Sequence, residues 1–251
     1  MYPFRFSLLT ANLWNTELWD IRSPAVGKFL DMYRPDICCF QEVRDSTLRE
    51  LDGFLPHHTR IDDSLAGWHR EGNIYYRNSL FEEIGHGAVD LEMPETDRRM
   101  FWIRLRITGC DHSLFIATVH LTHQENADEC ATGCSYRHHE VIRMGQALQE
   151  LVHDGEMAIL CGDFNDPVHP VRQLGQQGFQ DVFGLLGTVQ ESTFPCAAMT
   201  EEIHMNESID KIVCKGELRP LLACVPHFYY QRAAISDHWP VIAVFSVEAT
   251  W

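Results

Sequence analysis

The sequence lacks the features that mark several classes of protein. No apolar run approaches the roughly 18 to 20 residues that a membrane-spanning helix needs, so we expect no membrane span. Residues 1–5 lack the apolar stretch and the small-residue cleavage site of a signal peptide, which predicts a mature protein that begins at residue 1. Repeats, low-complexity tracts and linkers are missing too, so we expect a single domain over residues 1–251.

Positive charge is scarce. The 251 residues include 20 Lys and Arg against 36 Asp and Glu, which gives a formal net charge of −16. Such a chain repels polyanions, so a broad basic face for long nucleic acids or anionic membranes is not expected. Carboxylates are, however, the ligands that hold Mg²⁺, and a bound cation reverses the local field. The charge is therefore compatible with a compact phosphate substrate.

The nine cysteines do not show the dense spacing of a small secreted disulfide scaffold, and their number is odd. We interpret them as reduced thiols, which predicts a cytoplasmic protein. Cys130 and Cys134 lie near His123 and several acidic residues, but their spacing matches no closed four-ligand zinc pattern. We therefore expect no zinc site in this segment.

Short apolar runs alternate with helical patterns along the chain, which predicts a mixed α/β domain. Strands are expected at residues 4–10, 36–40, 73–77, 101–107, 114–120, 156–161, 209–213 and 241–247. Ser23 and Pro24 predict a helix start that leads to about Tyr33, and a second helix is expected over 138–152. Two long polar connections, 123–135 and 190–208, are where function is expected.

Polar side chains recur where the predicted strands end. Carboxylate, amide and imidazole groups stand at six such places: Asn12, Gln41-Glu42, His120, Asp163 with Asn165, Asp210, and Asp237-His238. Taken singly, each has an ordinary explanation as a turn former, a solvent-facing residue or a core residue. Their recurrence at the same place relative to so many apolar runs indicates a shared site.

Six sequence blocks carry a resemblance to a known family. They are Thr10-Ala11-Asn12-Leu13-Trp14, Phe40-Gln41-Glu42-Val43, Thr118-Val119-His120-Leu121, Gly162-Asp163-Phe164-Asn165, Ile209-Asp210-Lys211-Ile212 and Ser236-Asp237-His238-Trp239-Pro240. In this order, the blocks resemble the endonuclease/exonuclease/phosphatase superfamily over nearly the whole chain. The resemblance implies a four-layered α-β-β-α sandwich of the α/β class, with two mixed β-sheets face to face and helices outside. It also implies a Mg²⁺ or Mn²⁺ site at one end of the sandwich and hydrolysis of a phosphoester.

The resemblance further implies a role for each residue on the metal and water side of the site. Glu42, Asn12 and Asp237 are expected to hold the metal, since a hard divalent cation prefers oxygen ligands. Asp163 is expected to orient or deprotonate the attacking water. Asn165 is expected to donate to the phosphate or to hold the nucleophile.

Two histidines are expected to act on the phosphoryl group. His238, kept protonated by the neighbouring carboxylate of Asp210, would stabilise the developing negative charge. His120 would be a second donor to the phosphoryl group. With a metal as Lewis acid, this scheme requires no covalent intermediate.

Candidates for binding a substrate phosphate are Arg77, Arg98 and Arg99, because an acidic protein with few cations must place some of them near its anion. Solvation at a strand end explains at least one of these three. Arg143 is a further candidate for substrate binding, because it stands in a helix pattern that the resembled family also shows. For Arg143, orientation of the site and a plain helix-surface role are both open. Residues 193–195, Thr-Phe-Pro, resemble a loop that borders the cleft in several branches of the family.

The resemblance leaves the substrate open. The chain lacks the arginine that follows the Gly-Asp-Phe-Asn block in inositol phosphatases, and it lacks a basic, aromatic-interleaved arm for a long strand. The leading hypothesis is a monomeric Mg²⁺- or Mn²⁺-dependent hydrolase of a small or short phosphoester. The alternatives are a nuclease on DNA or RNA, and a catalytically inactive binding or scaffold member. The presence of the charged site residues argues against the last.

Overall fold

The computed structural model describes residues 3–109, 111–196 and 206–248. The strands are β1 (Phe4–Asn12), β2 (Ile37–Gln41), β3 (His58–Arg60), β4 (Asn73–Arg77), β5 (Phe81–Val89), β6 (Met100–Ile107), β7 (Ser113–His120), β8 (Met157–Asp163), β9 (Gln180–Asp181), β10 (Asp210–Lys215), β11 (Arg219–Cys224) and β12 (Val241–Val247). The helices are α1 (Trp19–Tyr33), α2 (Asp45–Phe54), α3 (Gly67–Arg70), α4 (Ala127–Thr132), α5 (Tyr136–Leu151), α6 (His169–Gly175) and α7 (Val182–Leu185).

The strands form two mixed sheets of six strands each. The order in the first sheet is β11-β12-β1-β2-β4-β3, and in the second it is β5-β6-β7-β8-β10-β9. Strand β1 is parallel to β2 and antiparallel to β12. Strand β8 is likewise parallel to β7 and antiparallel to β10. Each sheet thus has one central parallel pair, whose carboxyl ends lie at the same edge.

The two sheets pack face to face through one apolar layer. Phe6 and Leu8 of β1 share this layer with Ile116 of β7 and Ile159 of β8. Because successive strand residues point to opposite faces, every second residue of these strands enters the layer between the sheets. The residues between them point outward, as Leu9 of β1 does.

Helices cover the outer faces of both sheets. On the first sheet, Phe29 of α1 and Leu51 of α2 pack with Phe40 of β2. On the second sheet, Met144 of α5 packs with Leu160 of β8. Each such side chain contributes roughly 1.5 to 3 kcal/mol by leaving water. The architecture is therefore the predicted four-layered sandwich. In the described ranges, no helix combines the length and apolarity needed to cross a membrane.

All eight predicted strands are present, with ends shifted by at most two residues, and the predicted second helix is present as α5. The predicted helix start at Ser23 is wrong. Helix α1 begins at Trp19 and contains Pro24 in its interior. The reason is tertiary: Arg22 is fully buried and donates to the backbone carbonyls of Leu13 and Glu17, which ties the preceding loop to the helix.

Several elements carry little sequence signal. Strand β5 contains Gly85 and Gly87 and an irregular register against β6, so no clear alternation of apolar residues is visible. Strand β11 lies at an edge, is mostly exposed and contains Pro220. The predicted connection 123–135 includes helix α4. Of the connection 190–208, residues 197–205 lie outside the described part of the chain.

Candidate active site

Strand alternation places predicted catalytic residues on the inner faces of the sheets, at one end of the sandwich. On β8, Ile159 and Cys161 belong to the inner apolar layer, and Asp163 is the next residue on that face. The strand register puts His120 of β7 and Asp210 of β10 beside Asp163. These three side chains therefore meet where the apolar layer between the sheets ends.

A buried polar contact separates the apolar layer from the site. Gln41, the last residue of β2, donates through Nε2 to Thr10 Oγ1 at 3.2 Å and to Thr118 Oγ1 at 2.9 Å. Thr10 belongs to the first sheet and Thr118 to the second, so Gln41 links the two sheets. Gln41 is fully buried, and its two hydrogen bonds connect the sheets beneath the predicted catalytic residues.

Asp163 stands at the centre of the site. Its Oδ1 accepts the backbone N–H of Asn165 at 2.9 Å, and its Oδ2 accepts Nδ2 of Asn12 at 3.1 Å. The Nε2 atoms of His120 and His238 lie 3.5 Å and 3.9 Å from the same Oδ2. Burial alone would raise the pKa of Asp163, but the charges of His238 and His120 and these hydrogen bonds lower it. The carboxylate is thus ionised and oriented.

Asp210 and His238 form a buried pair. His238 Nδ1 donates to Asp210 Oδ2 at 2.9 Å, since an ionised carboxylate only accepts. Burial alone would lower the pKa of His238, but the charge of Asp210 and this hydrogen bond raise it well above its ordinary value. The imidazole is therefore held as a cation with Nε2 directed toward Asp163.

His120 has a carboxylate partner that the sequence reasoning missed. Its Nδ1 donates to Glu71 Oε2 at 3.0 Å, and the backbone N–H of Glu42 reaches the same oxygen at 3.3 Å. Burial alone would raise the pKa of Glu71, but the hydrogen bond and charge of His120 lower it. Glu71 precedes the antiparallel strand β4, whose first residue lies at the edge where β2 ends. A polar residue just before an antiparallel strand is the sequence signal that could have identified Glu71.

Glu42 follows β2 and faces the other side of the site. Its Oε1 accepts Nδ2 of Asn12 at 3.0 Å, and its Oε2 accepts Nδ2 of Asn15. The backbone φ of Glu42 is 55°, a left-handed conformation that is costly for a residue with a Cβ. Asn15 and Asn165 share this conformation, with φ of 51° and 48°. Such strain concentrates at functional sites, where the surrounding structure enforces it.

Asp237 lies on the loop before β12. Burial raises the pKa of its carboxyl group, and the negative charge of Glu42 raises it further. The two carboxylates are therefore close enough to repel each other. Together with Asn12, they stand where the resemblance implied metal ligands.

The donor set was tested for its fit to a divalent cation. Among the described residues, the buried Oδ1 of Asn15 has no hydrogen-bond partner, although its amide nitrogen contacts Glu42. An amide oxygen without a donor, beside two carboxylates that repel each other, suits a hard cation that prefers oxygen. Glu42, Asp237 and the neighbouring asparagine amides therefore fit such an ion.

Another group of side chains also has potential ligand atoms in reach of one another. Within the part of the chain that is described, Asp163, Asp210 and His238 have such atoms within 4.8 Å. His238 Nδ1 already donates to Asp210, and the raised pKa of His238 favours the protonated ring, which offers no lone pair to a metal. The hydrogen bond between His238 and Asp210, with His238 directed toward Asp163, therefore explains this group better than metal coordination does.

Of the candidate arginines, Arg98 lies in the cleft. It lines the cleft beside His123, and its Nη1 donates to the carbonyl of Leu121 at 3.0 Å. Asn165 Nδ2 donates to the same carbonyl at 2.9 Å. This contact uses one amide hydrogen of Asn165 for structure, which leaves the other for a ligand.

The structure does not bring Arg77 and Arg143 to this cleft. Arg77 ends β4 beside Asp36, which it contacts at 2.8 Å, and this is the far end of the first sheet. Arg143 of α5 pairs with Glu92 at 3.1 Å. Both predictions assumed that a cation near a strand end or in this helix faces the phosphate. The antiparallel direction of β4 places Arg77 at the end of the sheet away from the cleft. The ion pair with Glu92 directs Arg143 away from the cleft.

The cleft over these residues has a volume of about 290 Å³. Trp14, Phe194 and Ile209 add apolar surface to a lining that is otherwise polar. Phe194 belongs to the 193–195 segment, and its ring lies 4.7 Å from that of His238. Thr193 accepts the backbone N–H groups of Ile209 and Asp210 through Oγ1, both at 3.1 Å.

The segment that carries Cys130 and Cys134 is held by an ion pair. Both cysteines are exposed. Glu129 of α4 is buried and accepts Nη2 of Arg137 at 2.8 Å. This pair, with the donation of Arg137 Nη1 to the Thr122 carbonyl at 2.6 Å, ties α4 to α5 and to the chain after β7.

Comparison with known families and sequences gives one match. The sequence model described as the Endonuclease/Exonuclease/phosphatase family matches residues 9–238. None of the curated proteins compared with the chain matches it.

Solved structures with the same fold include three at low identity. An endonuclease/exonuclease/phosphatase family protein from Bacteroides thetaiotaomicron is 18% identical, with 99% of this chain and 100% of that chain covered and a TM-score of 0.79. D. rerio TDP2 complexed with single strand DNA product is 18% identical, with 96% and 98% covered and a TM-score of 0.77. A functionally unknown conserved protein from Enterococcus faecalis is 23% identical, with 96% and 100% covered and a TM-score of 0.78.

The family match spans the residues from Asn12 to His238, and therefore every predicted catalytic and metal-binding residue. The two six-stranded sheets agree with the fold of these structures. The chain belongs to the endonuclease/exonuclease/phosphatase family.

Proposed function

We propose that this protein is a divalent-metal-dependent hydrolase that cleaves a phosphoester by direct attack of water. The observation that carries the proposal is the position of Asp163. Its ionised carboxylate is oriented by Asn12 and Asn165, and two imidazoles lie within 3.9 Å. A base for water next to hydrogen-bond donors for a phosphoryl group is what hydrolysis at phosphorus needs.

Glu42, Asp237 and Asn12, with the Asn15 amide beside them, would hold Mg²⁺ or Mn²⁺. A bound cation of this kind neutralises charge on the phosphoryl and leaving oxygens. The mutual repulsion of the two carboxylates and the buried amide oxygen of Asn15 support this assignment. Mg²⁺ usually takes only one or two carboxylates and keeps several waters, which agrees with this small set.

The remaining residues act on the water and the phosphoryl group. Asp163 accepts a proton from the attacking water. His238, kept protonated by Asp210, donates through Nε2 to the phosphoryl oxygens as negative charge develops there. His120, oriented by Glu71, is a second donor, and the free amide hydrogen of Asn165 is a third.

The substrate we propose is a small or short phosphoester. A volume of about 290 Å³ is at the lower limit of ligand pockets, which typically hold about 300 to 1,000 Å³. The net charge of −16 opposes the binding of a long polyanion. Arg98 is the proposed contact for a substrate phosphate, because it lines the cleft.

A second candidate is hydrolysis at the end of a DNA or RNA strand. The structural likeness to D. rerio TDP2, whose structure holds a single strand DNA product, favours it. A nuclease should prefer the polymer over a model ester and lose activity steeply with salt. The proposed small-molecule hydrolase should show the opposite preference and a shallow dependence on salt.

A cytoplasmic location is also proposed. Seven of the described cysteines are free thiols, and four of these are buried in strands, namely Cys38, Cys39, Cys161 and Cys214. Free thiols in this number are typical of a reducing compartment. Fractionation of the native host cell would test this location.

The experiment that tests the function is a hydrolysis panel with Mg²⁺ or Mn²⁺. The substrates are bis-p-nitrophenyl phosphate, mononucleotides, a single-stranded oligonucleotide, an abasic duplex and sphingomyelin. We expect turnover of at least one small ester, loss on chelation with EDTA and recovery on adding metal. Failure on every substrate with metal binding confirmed by calorimetry would favour a binding or scaffold role.

A further inference from the structure

Trp14 presents an indole to the cleft beside the proposed metal ligands. Its backbone N–H donates to Asn12 Oδ1 at 3.0 Å, and the next residue, Asn15, contacts Glu42. The side chain lines the cleft and is half-buried. The backbone φ of Trp14 is 51°, a strained conformation for a bulky residue. The fold thus holds this ring at the edge of the site at a conformational cost.

Arg22 supports the indole from the protein side. Its guanidinium carbon lies 5.3 Å from the centre of the Trp14 ring. Arg22 is fully buried, and its N–H groups donate to the backbone carbonyls of Leu13, Trp14, Glu17 and Ile235. Because these hydrogen bonds fix the guanidinium, the Trp14 ring packs against an immobile group on its protein side. Trp14 therefore lines the cleft with one face of its ring already occupied by a fixed side chain.

We propose that Trp14 is a stacking surface for a nucleobase, so that the preferred substrates are nucleotides or nucleotide-bearing phosphoesters. This inference rests on the proposed function, since it requires that the phosphate bind in the same cleft, where Asp163 and His238 act on it. Stacking on an aromatic side chain suits any base, because every base has a π face. The cleft volume of about 290 Å³ suits one nucleotide.

A quaternary ammonium group, such as that of choline, is the other ligand that an indole attracts. The charge of Arg22 argues against it. Burial lowers the pKa of Arg22 to about 10, which leaves the guanidinium charged at neutral pH. A second cation on the exposed side of the ring would be repelled across the thickness of the indole. A neutral base meets no such repulsion.

The test measures binding without turnover, so wild-type Trp14 and each variant below are compared in chains that also carry Asp163→Asn. Calorimetry in the presence of Mg²⁺ would compare adenosine 5′-monophosphate, adenosine 3′-monophosphate, ribose 5-phosphate and phosphocholine on the full chain. For wild type, we expect at least one nucleotide to bind about tenfold or more tightly than ribose 5-phosphate, as one stacked base gives. Trp14→Leu should bring the ratio of nucleotide affinity to ribose 5-phosphate affinity, the nucleotide ratio, close to one. Trp14→Phe should keep most of the wild-type nucleotide ratio.

Trp102 offers a matched control. It is also half-buried and lies over an arginine, with Arg104 Cζ 5.7 Å from the ring centre, but it packs on the outer face of the second sheet. Trp102→Leu should leave the ratio unchanged. A wild-type ratio near one, tighter binding of phosphocholine than of either nucleotide, or a preserved ratio in folded Trp14→Leu would overturn the inference.

The inference and the proposed function fail separately. Hydrolysis of bis-p-nitrophenyl phosphate combined with a nucleotide ratio near one would retain the function and reject the role of Trp14. A nucleotide ratio that depends on Trp14, without hydrolysis of any ester, would retain the binding surface and reject the hydrolase. Thermal unfolding of each variant would verify that loss of the ratio is not loss of the fold.

Discussion

His238 Nδ1 lies 2.9 Å from Asp210 Oδ2, and both side chains are buried. The pair joins the loop before β12 in the first sheet to β10 in the second. Asp210 raises the pKa of His238 and thereby favours an imidazolium next to Asp163. The same contact links the two sheets, and in the proposed function it prepares a donor for the phosphoryl group.

Replacing Asp210 by Asn should shift the alkaline limb of the pH–rate profile to lower pH. The neutral amide no longer stabilises the imidazolium, while burial still lowers the pKa of His238. The protonated donor is then lost at lower pH. We expect kcat/KM near neutral pH to fall about 10²- to 10³-fold, as for removal of one preorganised donor. An alkaline limb in the same place as in wild type would contradict this role.

Glu71→Gln should lower kcat and leave KM nearly unchanged. The neutral amide holds His120 less firmly, so the donor is oriented less well in the transition state. We expect a loss of about tenfold to a hundredfold, as reported for groups that orient a site residue. Steady-state kinetics would measure it. Glu82→Gln is the matched control, because Glu82 is exposed and pairs with Arg106.

Arg98→Ala should raise KM for the phosphoester, and Arg77→Ala should not. Arg98 lines the cleft, whereas Arg77 pairs with Asp36 at the far end of the first sheet. We expect a rise of about 10- to 10²-fold, because a charged hydrogen bond contributes about 1.5 to 3 kcal/mol. Similar KM values for the two variants would remove Arg98 from substrate binding.

Glu156→Gln should destabilise the fold without changing the site. Glu156 accepts Arg104 Nε at 2.7 Å and Ser113 Oγ at 2.9 Å, at the end of the sandwich away from Asp163. We expect the free energy of unfolding to fall by about 1 to 3 kcal/mol near pH 7, measured by urea unfolding. Glu82→Gln should change it by less than about 0.5 kcal/mol.

The effect of Glu156→Gln should depend on pH. Burial alone would raise the pKa of Glu156, but Arg104 and the backbone of His153 lower it in the folded protein. Its stabilisation is therefore present above the unfolded pKa of about 4.3 and is lost as pH falls through the folded pKa. The difference between wild type and variant should vanish in acid. A difference that persists there would indicate a packing effect.

The sequence predicted much of the fold and site because both follow a period of two along buried strands. Asp163 is identifiable because it ends an apolar run, and the strand register then brings His120 and Asp210 beside it. Single-sequence patterns do not give strand direction in the same way. Arg77 was predicted near the substrate, yet the antiparallel course of β4 carries it to the far end. The same course brings Glu71 to the site without a preceding apolar run.

The roles of Trp14 and Arg22 also exceed what the sequence indicates. Arg22 reads as a polar helix residue, but it is fully buried and donates to four backbone carbonyls. This tertiary arrangement moves the start of α1 upstream of Ser23. It also fixes Trp14 at the cleft. Arg22 and its partner Ile235 are 213 residues apart in the sequence, so no local pattern could predict their contact.

The most direct test of the account is hydrolysis of bis-p-nitrophenyl phosphate by wild type and Asp163→Asn, with Mg²⁺, after EDTA, and after metal is restored. Asp166→Asn is the control, since Asp166 accepts backbone N–H groups at the start of α6. We predict a metal-dependent wild-type rate, a similar rate for Asp166→Asn, and a rate at least about 10²-fold lower for Asp163→Asn. A wild-type rate in folded Asp163→Asn, or hydrolysis that EDTA does not affect, would contradict the account.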